Sequence, residues 1–237
     1  MVNKKTQERT IGLIGEEKYK WLRNKRIAII GLGGVGGTAL VSLARSGFLN
    51  FVLVDSDRVE YSNLNRQILF SNEDVGLWKV DLAASHLGIL TDGARVYSSR
   101  EKITKDNVKK ILGNKKIDFL VDAIDDVEGK IALIDYALEK NIPYIVSLGM
   151  GNRLDPRKVT IMPLSKTTYD PLAKKLRLEC RKNKIDLKKI ITVCSTEQPL
   201  LKSKNPQSMI MVPSAAGLTI AYHVINHFLD DEKKVGF

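Results

Sequence analysis

Only two cysteines, Cys180 and Cys194, occur in the 237 residues. They lie far apart and without metal-ligand spacing, so neither a disulfide framework nor a zinc site is expected. No apolar run reaches the roughly 20 residues of a membrane span. The nearest approach, "VPSAAGLTIAYHVINHFL", is interrupted by His223, Asn226 and His227 and reads as a buried helix. No apolar segment follows the lysines of "MVNKKTQERT", which argues against a secretory signal there and makes a cytoplasmic protein with no membrane partner the expectation. Internal repeats and low-complexity stretches are lacking as well.

What is present is enough to fold. Hydrophobic residues make up 43%, so a real core can be buried, and the length fits one large domain or one domain with an appendage. Thirty-eight basic residues stand against 27 acidic ones, a net charge of +11. An excess of that size points toward a polyanionic partner.

Apolar, β-branched runs alternate with helical patterns. "RIAII" precedes a helix over 35–46, "FVLV" a helix over 75–90, and "RVYS" a helix over 105–112 capped by Thr104. "DFLV" precedes a helix over 128–140, and "YIVS" follows. This order predicts a three-layer, Rossmann-like α/β fold with a mostly parallel sheet and helices on both faces. In the first crossover helix Val35, Ala39, Leu40, Leu43 and Ala44 share one face, and Gly47 closes it. Residues 1–150 form the nucleotide-binding portion of this expectation. Residues 151–237 form a smaller α+β portion within the same structural domain. There "VTIMP" and "ITVCSTEQP" supply strands, and Asp170 caps a helix with Pro171 at its first position. Leu172, Leu176 and Cys180 make a narrow apolar stripe on that helix. "LLKSKNPQS" reads as a mobile tract, and a final helix covers 214–229.

"GLGGVG" sets Gly31, Gly33 and Gly36 at G-x-G-x-x-G spacing between a strand and a helix. Glycines there let the backbone turn tightly and approach a phosphate at a helix N-terminus. Asp55 ends the next strand, where a carboxylate accepts from ribose hydroxyls. An NAD-dependent oxidoreductase would account for Asp55 but not for "SDRVEYSNLNRQ" after it. A solvated, asparagine-rich turn is the bland alternative. Arg66 and Lys79 favour a third reading, because two fixed cations beside a ribose-binding carboxylate suit a triphosphate.

Together "GLGGVG", "VDSDRVEYSNLNRQ", "VGLWK" and "DAIDD" resemble the ThiF/MoeB/HesA superfamily, which includes the ubiquitin-activating enzymes and adenylates carboxylates with ATP. The resemblance implies Gly34 at the phosphate loop and Asp55 at the ribose. It implies Ser62, Asn63, Asn65, Arg66 and Lys79 along the triphosphate. Asp125 would hold Mg2+, with Asp57 as a second carboxylate, and Asp126 stands where relatives often carry asparagine. Arg66, Lys79 and Asp125 are the implied catalytic residues. Many members act on the C-terminus of a ubiquitin-like or sulfur-carrier protein, several through a cysteine and with paired zinc-binding cysteines. This chain has no such pairs, and Cys194, in or beside an apolar strand, reads as inert.

"DAIDDVEGKIALIDYALEKNIP", "GMGNRLDP", "SKTTYDPLAKKLR" and "STE" resemble one subgroup, the tRNA threonylcarbamoyladenosine dehydratases. That resemblance implies a homodimer acting on tRNA whose modified adenosine carries a threonyl carboxylate. The carboxylate is adenylated and then displaced from within the same nucleoside, closing a ring. An internal nucleophile reaches an effective molarity of ~10⁵ M or more, so no enzyme thiol is needed. Between Lys174 and Lys189 eight basic residues face two acidic ones, and Lys174, Lys175, Arg177, Arg181 and Lys182 would grip tRNA phosphates. A solvated helix face is the plain alternative. The family commonly sends an arginine from before the first strand into a partner's ATP site. Here that place falls near Gly12, with Arg9 three residues earlier. Sulfur-relay partners and a monovalent cation occur in such families, and no residue here is diagnostic of either. His86 and His223 lie in apolar helical patterns and read as structural. A non-catalytic nucleotide-binding adaptor remains open at this point.

Overall fold

In a computed structural model the described residues are 4–201, 203 and 206–235. In chain order the elements are α1 (Glu8–Ile14), α2 (Glu16–Asn24), β1 (Arg26–Ile30), α3 (Gly34–Arg45), β2 (Asn50–Val54), α4 (Lys79–Leu90), β3 (Arg95–Ser99) and α5 (Val108–Leu112). They continue with β4 (Phe119–Asp122), α6 (Val127–Lys140), β5 (Tyr144–Ser147), β6 (Val159–Pro163), α7 (Pro171–Lys182), β7 (Ile191–Ser195) and α8 (Met211–Val235). The seven strands form one sheet in the order β3-β2-β1-β4-β5-β7-β6. Every pairing is parallel except β6 with β7.

The central strands are continuous apolar runs because both faces are covered. Alternation sorts them. Ile27 and Ile29 of β1, Phe51 and Leu53 of β2, and Phe119 and Val121 of β4 pack with Leu40 and Leu43 of α3 and Val224 of α8. Ala28, Ile30, Val52, Val54 and Leu120 point the other way, against Ile111 of α5 and Leu133 of α6. A third cluster joins Ile134, Val146 and Leu148 to Ala173, Leu176 and Cys180 of α7. Truncating any of the large core side chains to alanine should cost about 2–5 kcal/mol. At Gly217 a Cβ would lie 2.6 Å from the Val35 carbonyl oxygen and 2.6 Å from Thr38 Cβ. Only glycine lets α8 press this closely on α3.

Several boundaries differ from the sequence expectation for local reasons. The helix expected from 75 begins at Lys79. Residues before it are spent on an antiparallel bridge between Arg58 and Trp78 and on the Val59 N–H to Leu77 O bond, 2.9 Å. Thr104 does not cap α5. Instead Asn107 Oδ1 accepts from Thr104 N at 2.8 Å and its Nδ2 donates to Lys102 O, making a turn that delays the helix to Val108. The last helix is longer than 214–229 at both ends. Asp170 does cap α7, accepting from Leu172 N at 2.8 Å and Ala173 N at 3.1 Å with Pro171 in the first turn. Such a cap contributes about 1 kcal/mol. Lys202, Lys204 and Asn205 of the polar tract lie outside the described residues. Among the described residues no helix is long and apolar enough to cross a membrane.

Candidate nucleotide cleft

β1 lies between β2 and β4, so the loops leaving its neighbours' carboxyl ends diverge to opposite faces. Open α/β sheets bind ligands in the crevice this creates. A cleft of about 810 Å³ occupies it, with walls from the glycine loop, the Asp55–Asp57 turn, Arg66, Lys79 and the Ala123–Asp126 loop.

The glycines divide by role. Gly31 has φ +92°, and a Cβ there would meet the Ala123 carbonyl oxygen at 2.6 Å. A Cβ on Gly36 would run into the carbonyl oxygen of Gly31. Gly34 is close to Arg66 O and Pro213. Gly33 alone faces open space, its nearest neighbour being Gln67 Nε2 at 3.8 Å. Three glycines thus close the turn, while Gly33 leaves room for a ligand to approach the start of α3.

Asp55 is buried at the end of β2, and its two oxygens accept from Leu32 N (2.6 Å) and Asp57 N (2.8 Å). Burial pushes its carboxyl upward, opposed by the Leu32 hydrogen bond and the Lys79 ammonium. Lys79 is buried at the first residue of α4, and its Nζ lies 2.9 Å from Asp57 Oδ2. Asp57, expected beside a metal, is therefore also the counter-ion of Lys79. Arg66 Nη1 donates to Ser62 O (2.7 Å) and Asn65 Oδ1 (2.9 Å), which aims the guanidinium along the cleft loop. Ser62 Oγ donates to Glu60 Oε2, the buried Asn63 accepts from Glu60 N, and Asn65 Nδ2 reaches Ser208 O at 2.8 Å.

Asp125 lines the cleft, exposed, and its carboxylate makes no hydrogen bond or ion pair among the described residues. Asp126 also lines it but caps α6, accepting from Gly129 N at 2.8 Å. No group of three or more His, Cys, Asp or Glu that could hold a metal ion occurs among the described residues. The cleft carboxylates of Asp125 and Asp57 match what Mg2+ commonly takes, one or two carboxylates with substrate phosphates and water completing its shell.

Four residues in and beneath the cleft, Lys102, Gln67, Lys130 and Arg153, are not apparent from the sequence. Lys102 lines the cleft and lies 3.6 Å from Asp126 Oδ1; its place just past a strand's carboxyl end was the available signal. Gln67, one residue beyond Arg66, is buried in the lining. Beneath the floor, Lys130 Nζ bonds to Asp122 Oδ1 (2.9 Å) and Ser147 O (2.7 Å). Arg153 is buried against the carbonyls of Gly149, Gly151, Tyr169 and Glu197. Lys130 and Arg153 have no local sequence signature, because their partners come from other elements.

Away from the cleft, α7 exposes Lys174, Lys175, Arg181 and Lys182, while Arg177 turns back to Thr167 O at 2.9 Å. Lys182 also pairs with Glu179. Arg9 is exposed on α1, which buries none of its own residues. Cys180 and Cys194 are both buried, and burial pushes each thiol up to about 11. His223 packs edge-on against Phe119, and burial lowers its pKa.

Fold and cleft together define a doubly wound α/β protein with an open cleft at its switch point, where such sheets take their ligands. The ThiF family profile matches residues 6–234, and the chain belongs to that family. It is 34% identical over 236 residues to the tRNA threonylcarbamoyladenosine dehydratase of Bacillus subtilis, covering 92% of each sequence. The counterpart from Escherichia coli K12 is 36% identical over 168 residues, 71% of this chain and 62% of that protein. A crystal structure of the E. coli enzyme TcdA in complex with ATP matches with a TM-score of 0.92 at 30% identity, covering 98% of this chain and 97% of that one.

Proposed function

We propose that this chain is an ATP-dependent adenylating enzyme that dehydrates threonylcarbamoyladenosine in tRNA. The observation that carries the reading is one cleft uniting an open glycine loop, the cations Arg66, Lys79 and Lys102, and the exposed carboxylate of Asp125. It lies in a chain similar over nearly its whole length to such dehydratases.

In this reading residues 1–150 bind ATP, with Gly33 and the α3 N-terminus against phosphate and Asp55 toward the ribose. Arg66 and Lys79 stabilise the charge that develops as the threonyl carboxylate oxygen bonds to the α-phosphorus and the bond to pyrophosphate breaks. Asp125, with Asp57 beside Lys79, would hold Mg2+, which would neutralise the phosphate oxygens. A nucleophilic atom of the same threonylcarbamoyl group then attacks the acyl carbon, the acyl–phosphate bond breaks and AMP leaves. One water is lost overall. No thiol takes part, in keeping with two buried cysteines whose thiols stay protonated at neutral pH.

Residues 151–237 bring tRNA to the cleft, with Lys174, Lys175, Arg181 and Lys182 against backbone phosphates. The working unit is a homodimer in the cytoplasm, whose association the exposed Leu218 and Tyr222 of α8 and Leu13 of α1 would serve. Incubation with ATP and tRNA bearing the threonylcarbamoyl group should release AMP and yield a nucleoside lighter by one water. An unchanged nucleoside would refute the reading.

A further inference from the structure

Tyr169 stands beside the cleft on an unfavourable backbone. Its φ is +54°, and the residue is 57% exposed. Bulky residues seldom adopt positive φ, and where they do the surrounding structure must impose it, often at a functional position. Tyr61, Tyr97 and Tyr222 are exposed too, but among the described residues Tyr169 is the only tyrosine at positive φ.

Two buried groups impose this conformation. The Arg153 guanidinium donates Nη2 to Tyr169 O at 2.9 Å and Nη1 to Gly149 O at 2.6 Å. Asp170, the next residue, accepts from Gly149 N at 2.8 Å and caps α7. Gly149 and Leu172 both line the cleft. The clamp that shapes this wall therefore also holds the Tyr169 backbone, just outside the lining itself, and the exposed Lys174 and Lys175 follow within two helical turns. The capping and the clamp need a residue here but not an aromatic one. Glycine or asparagine would take this φ with less strain.

We propose that Tyr169 stacks on an unpaired nucleobase of the tRNA, one flanking the nucleoside whose carboxylate enters the cleft. The inference rests on the function proposed above. A nucleoside drawn into the cleft leaves its neighbours without a stacking partner, and an exposed ring at the cleft edge replaces it. Aromatic stacking is tolerant of base identity, so this contact adds affinity beside the phosphate contacts of α7.

The test compares wild type, Tyr169→Gly and Tyr169→Trp in steady-state turnover of threonylcarbamoyl-tRNA, alongside affinity for ATP alone and thermal midpoint. Tyr169→Gly should raise KM for the tRNA by roughly tenfold to a hundredfold. Its ATP affinity should hold and its midpoint should not fall, because glycine relieves the strain. Tyr169→Trp should keep a near-wild-type KM. A glycine variant with unchanged tRNA KM, or a tryptophan variant impaired as much as the glycine variant, would overturn the stacking role while leaving the dehydratase reading intact. Wild-type protein that binds ATP yet never turns over the modified tRNA would overturn both.

Discussion

Lys130 Nζ and Asp122 Oδ1 meet at 2.9 Å with both side chains essentially inaccessible, at 0% and 1% exposure. The same ammonium holds Ser147 O, so α6, the end of β4 and the end of β5 are tied at one point beneath the cleft. Burying two charges is costly, and removing one partner leaves the other uncompensated. Lys130→Met should therefore destabilise the fold by about 3–5 kcal/mol, whereas Asp122→Leu combined with Lys130→Met should recover much of that loss. Urea unfolding of the single and double variants checks it. Additive losses in the double variant would contradict it.

The glycine loop yields a contrast between neighbours. Gly36→Ala drives a methyl into the Gly31 carbonyl and should fold poorly or not at all. Gly33→Ala meets nothing closer than 3.8 Å and should keep wild-type stability. Its methyl occupies the approach to α3, so ATP affinity should drop about tenfold or more. Calorimetric ATP titration beside thermal melts separates the two outcomes.

Lys79→Met should lower ATP–pyrophosphate exchange by roughly a hundredfold or more, on the scale of about 3 kcal/mol for one lost charge-stabilising donor. The Asp57 side chain left behind is 66% exposed and remains solvated. The stability cost should therefore come mainly from the buried Asp55, which keeps its two backbone hydrogen bonds but loses the nearby ammonium. Asp125→Asn should leave the fold untouched, since that exposed carboxylate makes no bond among the described residues, and should raise the Mg2+ concentration needed for half-maximal exchange. An Asp125→Asn enzyme with wild-type Mg2+ dependence would remove Asp125 from the metal site.

Both buried thiols are raised from 9.0 to about 11. The folded state keeps these protons longer than the unfolded state does. Below about pH 9 they leave stability unchanged, and as pH rises from 9 toward 11 stability falls. Urea midpoints taken across that range should drop, and the drop should be shallower in a Cys180→Ala/Cys194→Ala variant. That variant, melted at neutral pH to account for lost packing, should still turn over substrate. Loss of turnover out of proportion to its stability would return a thiol to the mechanism.

Much of the architecture was legible because it is local. Apolar runs such as "RIAII" and "FVLV" mark strands buried on both faces, and the glycine spacing marks the turn between β1 and α3. Asp170 and Pro171 announced α7 in the same way. What stayed hidden depends on distant partners. No pattern in "VTIMP" reveals that it pairs antiparallel with a strand some 30 residues later at the sheet's edge. Lys130 looks like a polar interruption of an apolar helix until Asp122 and Ser147 are brought beneath it. Arg153 resembles an ordinary loop arginine, yet it is buried among four carbonyls. Asp55, Arg66, Lys79 and Asp125, expected from their family spacing, line one cleft, and their roles in it are those of the proposed function. The ion pair between Lys79 and Asp57 was not legible, because spacing says nothing of which charges neutralise each other.

ATP–pyrophosphate exchange, measured with tRNA bearing the threonylcarbamoyl group beside the same tRNA without it, tests the central claim most directly. If the cleft adenylates the threonyl carboxylate, label from pyrophosphate enters ATP only with the modified tRNA, and the Lys79→Met protein fails to support it. Exchange that ignores the modification, or ATP binding with no exchange on either tRNA, would contradict the account.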